Sequence, residues 1–247
     1  MIAEQLNQSI DKFYADKIRV SPARSNQASQ LAWPIRHLVL KRVAWEFARP
    51  HTATVQRRFE RGIELENYFL NHVVPNLPGV KIFSRALPVE YKEFEIAGRI
   101  DAEILIDWAN GKGIYPIELK TLQYMARYLS PESFKTGSIF TANYFHQLNL
   151  YLLCSNREKG LYLLIDPVSF GTRWLEMVLD LDEADKILAK CREVNGFVHG
   201  WDKKLFSVED VQYLPDCEEC NQYCQFQALC GRVDAVPDTQ SIDLERV

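Results

Sequence analysis

Two stretches, Gly98-Arg99-Ile100-Asp101-Ala102-Glu103-Ile104-Leu105-Ile106 and Ile114-Tyr115-Pro116-Ile117-Glu118-Leu119-Lys120-Thr121, decide the fold of this 247-residue chain. In the first, apolar and mostly acidic side chains alternate, which is the period of a strand with one buried face. The second repeats the alternation, and Asn110-Gly111 between them is a turn signal. A hairpin folded back about Gly111 brings Asp101 roughly opposite Thr121, within a step or two of Glu118 and Lys120.

Two acids and a lysine that converge at the end of a hairpin suggest phosphate chemistry. Neighbouring carboxylates bind a hard divalent cation such as Mg²⁺ through their oxygens. A lysine beside them can hold a phosphate or help to activate a water molecule. The same residue types are common on the solvated face of a strand, so the hairpin alone leaves both interpretations open.

Composition describes an ordinary globular protein, with 47% hydrophobic and 25% charged residues. The net charge of −4 does not mark a nucleic-acid-binding protein, although it says little about local charge. No apolar run reaches 18 residues, so we expect no membrane span. The N-terminus lacks a signal-peptide pattern, and we expect a cytoplasmic protein of a bacterial, archaeal or phage-infected host cell.

The order of predicted elements gives a mixed α/β fold with a central sheet flanked by helices. Ser29 is predicted to cap a helix over 31–47, and a second helix covers 53–74. The remaining elements are predicted as strands over 81–91, 160–167 and 173–181, and helices over 139–155 and 182–199, the last capped by Asp182. The predicted domains are an N-terminal helical segment packed on the core (1–78), the core (79–200), a cysteine segment (201–232) and a flexible tail (233–247).

The two N-terminal helices carry a local excess of positive charge. Positions 36–61 contain only two glutamates and seven basic residues, which are Arg36, Lys41, Arg42, Arg49, Arg57, Arg58 and Arg61. Such a set is a candidate phosphate-contacting surface, and equally a solvated helical face. A polar and aromatic link could line a groove or form an ordinary surface loop; it contains Gln123, Tyr124, Arg127, Tyr128 and Lys135.

Four motifs follow one another in a fixed order. They are Arg61-Gly62-Ile63-Glu64-Leu65-Glu66 on the second helix, Gly98-Arg99-Ile100-Asp101 and Glu118-Leu119-Lys120 on the hairpin, and Gln147-x-x-x-Tyr151 on the next helix. Their order and spacing resemble the RecB-type branch of the PD-(D/E)XK nuclease superfamily, which includes CRISPR-associated four-cysteine exonucleases and phage exonucleases. The resemblance extends over about residues 29–230 and implies a restriction-endonuclease-like core.

The resemblance implies a role for each matching residue. Asp101 and Glu118 would bind Mg²⁺ or Mn²⁺, with the carbonyl of Leu119 facing the same ion. Lys120 would position the attacking water and the phosphate, and Gln147 and Tyr151 would hold the active site and the DNA strand.

One position departs from the family pattern. The family usually has a histidine four residues after the glycine, where this chain has Glu66. Because glutamate is a competent oxygen ligand, Glu66 is the expected third ligand, with Glu64 as the competing choice.

The six cysteines include four in the C-terminal segment: Cys217, Cys220, Cys224 and Cys230. In a reducing compartment this spacing predicts a metal site. Iron–sulfur members of the family take one cysteine from the N-terminal helix, and residues 31–36 have none here. We expect a 4Fe–4S cluster bound by these four cysteines, with a structural Zn²⁺ as the alternative because of this departure. Cys154 and Cys191 are expected in the core.

The resemblance implies a metal-dependent deoxyribonuclease, more specifically an exonuclease, whose partner is DNA. The rival interpretation is a catalytically inactive nuclease-like DNA-binding or scaffold module in recombination, replication or CRISPR adaptation. The departure at Glu66 and the unusual cysteine spacing support this rival. A homo-oligomer or a recombination or replication protein as partner is compatible with either interpretation.

Overall fold

The computed structural model describes residues 2–123, 130–201, 208–215, 217 and 224–230. Its helices and strands, in chain order, are α1 (Ile2–Ala15), β1 (Asn26–Gln27), α2 (Ile35–Val43), α3 (Ala53–Tyr68), β2 (Val80–Tyr91), β3 (Ile96–Ile106), β4 (Gly113–Thr121), α4 (Glu132–Lys135), α5 (Ile139–Ser155), β5 (Lys159–Ile165), β6 (Thr172–Val178) and α6 (Leu181–Trp201). The six strands form one mixed sheet flanked by helices, which confirms the predicted fold class. None of the described helices is long and apolar enough to cross a membrane.

The chain divides into two compact units. The first contains residues 1–24, 34–61 and 193–247, and the second contains 25–33 and 62–192. The whole sheet belongs to the second unit. The order of pairing in the sheet is β1-β3-β4-β5-β6, with β2 antiparallel to β3.

Apolar side chains from four strands, β2 to β5, and from the segment directly after α3 form the core beside the hairpin. Ala102, Ile104 and Ile117 are fully or almost fully buried there. They pack with Phe69 and Leu70, which lie in a π-helical turn over Phe69–Val73 directly after α3. This packing fixes the hairpin against the end of the helix that carries Glu66.

Several predicted boundaries were wrong for local reasons. Ser29 lies in a short 3-10 turn, and α2 begins only after Pro34, which takes the N-cap position in an extended conformation. A residue before proline is driven out of the α region, so no helix runs through Trp33. Helix α6 is capped by Asp180, whose Oδ1 accepts the backbone N–H of Glu183 at 3.0 Å, and not by Asp182.

Strand β1 was not among the predicted strands. It has two residues and pairs in parallel with Ile96 and Ala97 of β3. β2 occupies the opposite edge of β3 at these residues, so β1 lies on the edge that β4 uses further along. On that edge, residues 98–101 have neither strand as a partner, which leaves a gap in the sheet at Asp101.

Candidate active site

The hairpin opens at Asp101. The β3–β4 ladder runs from Ile106 and Gly113 to Ala102 and Ile117, and it ends one residue before Asp101. Continued by one step, this register sets Asp101 opposite Glu118 and not opposite Thr121 as predicted. The carboxylate of Asp101 takes the place of the ladder there, since its Oδ2 accepts the backbone N–H of Leu119 at 2.8 Å.

Glu118 lies in the interior with one oxygen engaged and one left over. The residue is 2% exposed, and its Oε1 accepts from Lys120 Nζ at 2.7 Å. Oε2 is buried and has no hydrogen-bond partner within the described part of the chain. A buried carboxylate oxygen is nearly always satisfied by protein, water or an ion, so a water molecule or a cation can complete the contacts of this atom.

Helix α5 supports the lysine through a relay of side chains. Lys120 Nζ donates to Gln147 Oε1 at 3.0 Å, and Gln147 Nε2 donates to the Tyr151 hydroxyl at 3.0 Å. That hydroxyl also accepts the backbone N–H of Arg99 at 3.0 Å. The i, i+4 spacing of Gln147 and Tyr151 puts both on one helix face, and the relay connects α5 to the gap in the sheet.

Gly98 is required by the closeness of Tyr151. A Cβ added at Gly98 would lie 2.6 Å from Tyr151 Cε1 and 2.8 Å from its hydroxyl oxygen. No side chain larger than hydrogen fits there without displacing the ring. The glycine that opens the Gly98-to-Asp101 motif therefore makes room for the tyrosine of the following helix.

Glu66 joins the same group of charges from α3. It is half-buried, and burial and the negative charge of Asp101 raise its pKa, whereas Arg99, Lys120 and Arg85 lower it. Glu64, the competing choice, is exposed. The structure thus brings Glu66 to the hairpin acids, and its role as a ligand stays a prediction.

The acids resist ionisation in this arrangement. Burial raises the pKa of Glu118 to about 8, although Lys120 opposes the shift and Asp101 and Glu66 add to it. Burial likewise raises the pKa of Asp101. Burial alone would lower the pKa of Lys120, but Glu118 and Asp101 raise it above its ordinary value. Burial is the largest cause for both acids, and a cation bound beside them would favour their ionised forms.

The donor set suits a hard divalent cation. Carboxylate oxygens are the ligands that Mg²⁺ and Mn²⁺ prefer, and Glu118 Oε2 is without a partner in the described residues. Across the described ranges, no three His, Cys, Asp or Glu side chains are already arranged to hold a metal ion. Asp101 and Glu118 stay the predicted pair of ligands. Glu66 and the Leu119 carbonyl remain predicted additional ligands.

One aromatic neighbour, Tyr144, and one basic neighbour, Arg99, were not predicted as site residues. The Tyr144 ring lies 4.8 Å from Lys120 Nζ, measured to its centroid. Tyr144 is three residues before Gln147, so the helical spacing could have identified it. Arg99 acts electrostatically on both Glu66 and Asp101. It stands two residues before Asp101, on the same side of an alternating strand, which is a signal that the sequence also contained.

The cysteine prediction is only partly covered by the described residues. Cys217 and Cys224 are buried and Cys230 is half-buried, while Cys220 lies outside the described residues. Cys224 Sγ lies 3.5 Å from Nδ1 of the buried His37. The described donors alone do not complete a four-ligand site, so the iron–sulfur cluster and the zinc ion both stay predictions. Cys191 is buried as expected, and Cys154 is half-buried.

Some of the seven basic residues predicted to form a phosphate-contacting surface are engaged in contacts within the protein. Arg36 is buried and donates to the backbone carbonyls of Leu214 at 2.7 Å and Pro215 at 2.9 Å, so its interpretation as a phosphate contact was wrong. Arg42 donates to Asn195 at 2.7 Å, and Arg57 pairs with Asp11.

Of the predicted groove, three residues, Tyr124, Arg127 and Tyr128, lie outside the described residues. Lys135 pairs with Asp180 at 2.6 Å. A groove along this link therefore stays a prediction.

Comparison with known proteins gives distant structural neighbours only. No protein family matches the sequence, and no curated protein is significantly similar to it. The crystal structure of SSO0001 is 17% identical, with 93% of this chain and 96% of that chain covered, at a TM-score of 0.45.

Two further neighbours are structures of one enzyme. An alkaline exonuclease from Laribacter hongkongensis, LHK-Exo, is 14% identical over 76% of this chain and 90% of that chain, at a TM-score of 0.46. The structure of LHK-Exo in complex with dAMP is 15% identical over 73% of this chain and 92% of that chain, at a TM-score of 0.45. Similarity at this level carries no function to this chain.

Proposed function

We propose that this chain is a metal-dependent DNA nuclease that hydrolyses phosphodiester bonds, more specifically an exonuclease. The observation that carries the proposal is the buried Oε2 of Glu118, which lies opposite Asp101, beside a lysine, and has no hydrogen-bond partner among the described residues. The preference for an exonuclease follows from the motif order of the sequence.

Asp101 and Glu118 would hold Mg²⁺ or Mn²⁺, with Glu66 as the expected third carboxylate. An ion bound there supplies Lewis-acid polarisation of the phosphate and lowers the pKa of a bound water. Asp101 contributes a fixed geometry as well as charge, because the N–H of Leu119 orients its carboxylate. The same N–H leaves the second oxygen of Asp101 for the cation.

Lys120 would act as a fixed cation rather than as a general base. Glu118 and Asp101 raise its pKa in the metal-free fold, so it keeps its proton at neutral pH. A protonated amine can hold a non-bridging phosphate oxygen and stabilise the charge that develops in the transition state. Gln147 fixes the amine, and Tyr151 fixes Gln147, so both are positioning residues.

The test is cleavage of labelled linear and covalently closed DNA, and of RNA, with Mg²⁺, Mn²⁺ or EDTA. We expect linear DNA to be degraded from its ends with either metal, and Asp101→Asn to lower the rate at least about a hundredfold. Asp107→Asn is the matched control, because Asp107 is exposed at the end of the same strand and pairs with Lys112. A wild type as inactive as Asp101→Asn on every substrate would refute the proposal.

One observation supports the alternative of an inactive DNA-binding or scaffold module. Lys120 pairs with Glu118 at 2.7 Å, which occupies one of its two carboxylate oxygens. In that case the wild type would bind DNA with the same affinity in Mn²⁺ and in EDTA and would not cleave it.

A further inference from the structure

Among the described residues, Arg99 differs from the other cations around the acids because its guanidinium has no partner. Lys120 is engaged by Glu118 and Gln147, and Arg85 donates to Asn71 and Asn67. Within the residues that the structure describes, no hydrogen bond or ion pair involves the guanidinium of Arg99, and the side chain is exposed. An arginine next to two acids is ordinarily drawn into an ion pair, so its availability here is informative.

The backbone that carries the Arg99 side chain is held in place on both sides. The backbone N–H of Arg99 is held by the Tyr151 hydroxyl at 3.0 Å, and its Cα is in register with Pro88 of β2. The relay that fixes Lys120 thus fixes the backbone of Arg99 too. A pre-positioned backbone reduces the entropy that the guanidinium loses when it binds a ligand.

The charge of Arg99 reaches the acids without closing on them. Arg99 stands two residues before Asp101 on the same face of strand β3, and within the described residues it forms no ion pair with Glu66 or Asp101. A guanidinium offers a planar fork of donors that matches two oxygens of one phosphate. An anion that approaches the acids would therefore meet the exposed guanidinium of Arg99.

We propose that Arg99 binds a backbone phosphate of the nucleic acid next to the phosphate that is cleaved. This inference rests on the proposed function, since it names the part of that substrate that the site grips. The ligand is an internal phosphodiester of the strand. A terminal phosphate has the same chemistry, and the experiment separates the two.

The experiment measures DNA affinity as a function of salt, with Ca²⁺ in place of Mg²⁺ so that hydrolysis does not consume the DNA. We expect Arg99→Ala to weaken binding about tenfold, the loss of one charged hydrogen-bonded contact. The slope of log K against log salt should become shallower by about 0.7–0.9, the contribution of one phosphate. Arg99→Lys should keep the slope. Arg192→Ala is the control, an exposed arginine of the same unit that pairs with Glu93.

Three DNA forms separate the two phosphates: linear with a 5′-phosphate, linear with a 5′-hydroxyl, and circular. An equal effect of Arg99→Ala on all three supports the internal phosphate. An effect confined to the phosphorylated end overturns that assignment, and an Arg99→Ala variant that behaves as Arg192→Ala overturns phosphate binding altogether.

The outcomes for Arg99 and for the nuclease proposal are distinguishable. If the wild type cleaves and Arg99→Ala binds normally, the inference fails and the proposed function stands. If Arg99→Ala loses affinity and slope while the wild type never cleaves, the phosphate contact of Arg99 stands, and the proposed function fails together with the placement of that phosphate next to a cleaved one. A wild type that binds no nucleic acid overturns both.

Discussion

Gly98→Ala is the perturbation that most sharply tests the relay behind Lys120. The added Cβ would meet Tyr151 Cε1 at 2.6 Å, its hydroxyl oxygen at 2.8 Å and the Cβ of Ala28 at 3.1 Å. Tyr151 is 1% exposed and cannot move into solvent. Overpacking of a core costs about 1–3 kcal/mol. Loss of one or two hydrogen bonds of the Tyr151 hydroxyl adds about 0.5–1.5 kcal/mol each.

We therefore expect the free energy of unfolding, measured in urea, to fall by about 2–4 kcal/mol. Gly196→Ala is the matched control, because nothing lies within 4 Å of its added Cβ and the residue is inside α6. That change should stabilise the protein by up to about 1 kcal/mol. In a Tyr151→Leu background the ring is gone, so the effect of Gly98→Ala should shrink by at least half. A Gly98→Ala variant as stable as the wild type, or an effect independent of Tyr151, would refute the relay geometry.

Three further outcomes follow from the described contacts. Ala86 has a left-handed φ of 51° and lies opposite Asp101 in the β2–β3 register; Ala86→Gly should raise the free energy of unfolding by about 1 kcal/mol, whereas Asn156→Gly, at a φ that asparagine tolerates, should change it by only a few tenths. In EDTA, the folded protein retains the proton of Glu118 up to about pH 8, because burial raises its pKa, while the unfolded chain loses that proton near its ordinary pKa of 4.5. Between these two values the free energy of unfolding should therefore fall with rising pH by at most about 1.4 kcal/mol per pH unit, and it should flatten above them. A pH profile of Glu118→Gln that is as steep as that of the wild type would contradict the assignment. Arg36→Leu should lower the free energy of unfolding by about 2 kcal/mol, because two buried carbonyls lose a charged donor, yet leave the salt dependence of DNA binding unchanged; a shallower salt slope would return Arg36 to the phosphate-contacting set.

The hairpin was predictable because its alternation has a strong period and its turn contains a glycine. Strand β2 and helix α5 were predicted within a residue of their observed ends. The register of the hairpin was not predictable to the residue, since the turn centre can lie anywhere in residues 107–112. The observed register, three residues from the predicted one, sets Asp101 directly opposite Glu118.

Other features depend on tertiary contacts that no local pattern records. β1 has two residues, too few for any periodicity, and exists because β3 offers a vacant edge. Asp180 and Asp182 both have the chemistry of a cap, and Asn149 favours Asp180, whose backbone N–H it accepts at 2.9 Å. Arginine is usually a surface residue, and the burial of Arg36 is explained by its hydrogen bonds to the carbonyls of Leu214 and Pro215.

The candidate site was predicted in its membership better than in its geometry. The order of the motifs nominated Glu66, Asp101 and Glu118, and the structure sets these acids within electrostatic reach of one another. The role of Gly98 comes from its distance to Tyr151 of α5, which the sequence does not contain.

The central claim is that Asp101 and Glu118 bind the divalent cation that hydrolysis needs. Titration of Mn²⁺ into the wild type, Asp101→Asn and Asp107→Asn by calorimetry tests it most directly. We predict saturable binding by the wild type and by Asp107→Asn, and its loss in Asp101→Asn, in which the amide still accepts from Leu119 but the charge is gone. Equal Mn²⁺ binding by all three proteins, or none by the wild type, would contradict the account.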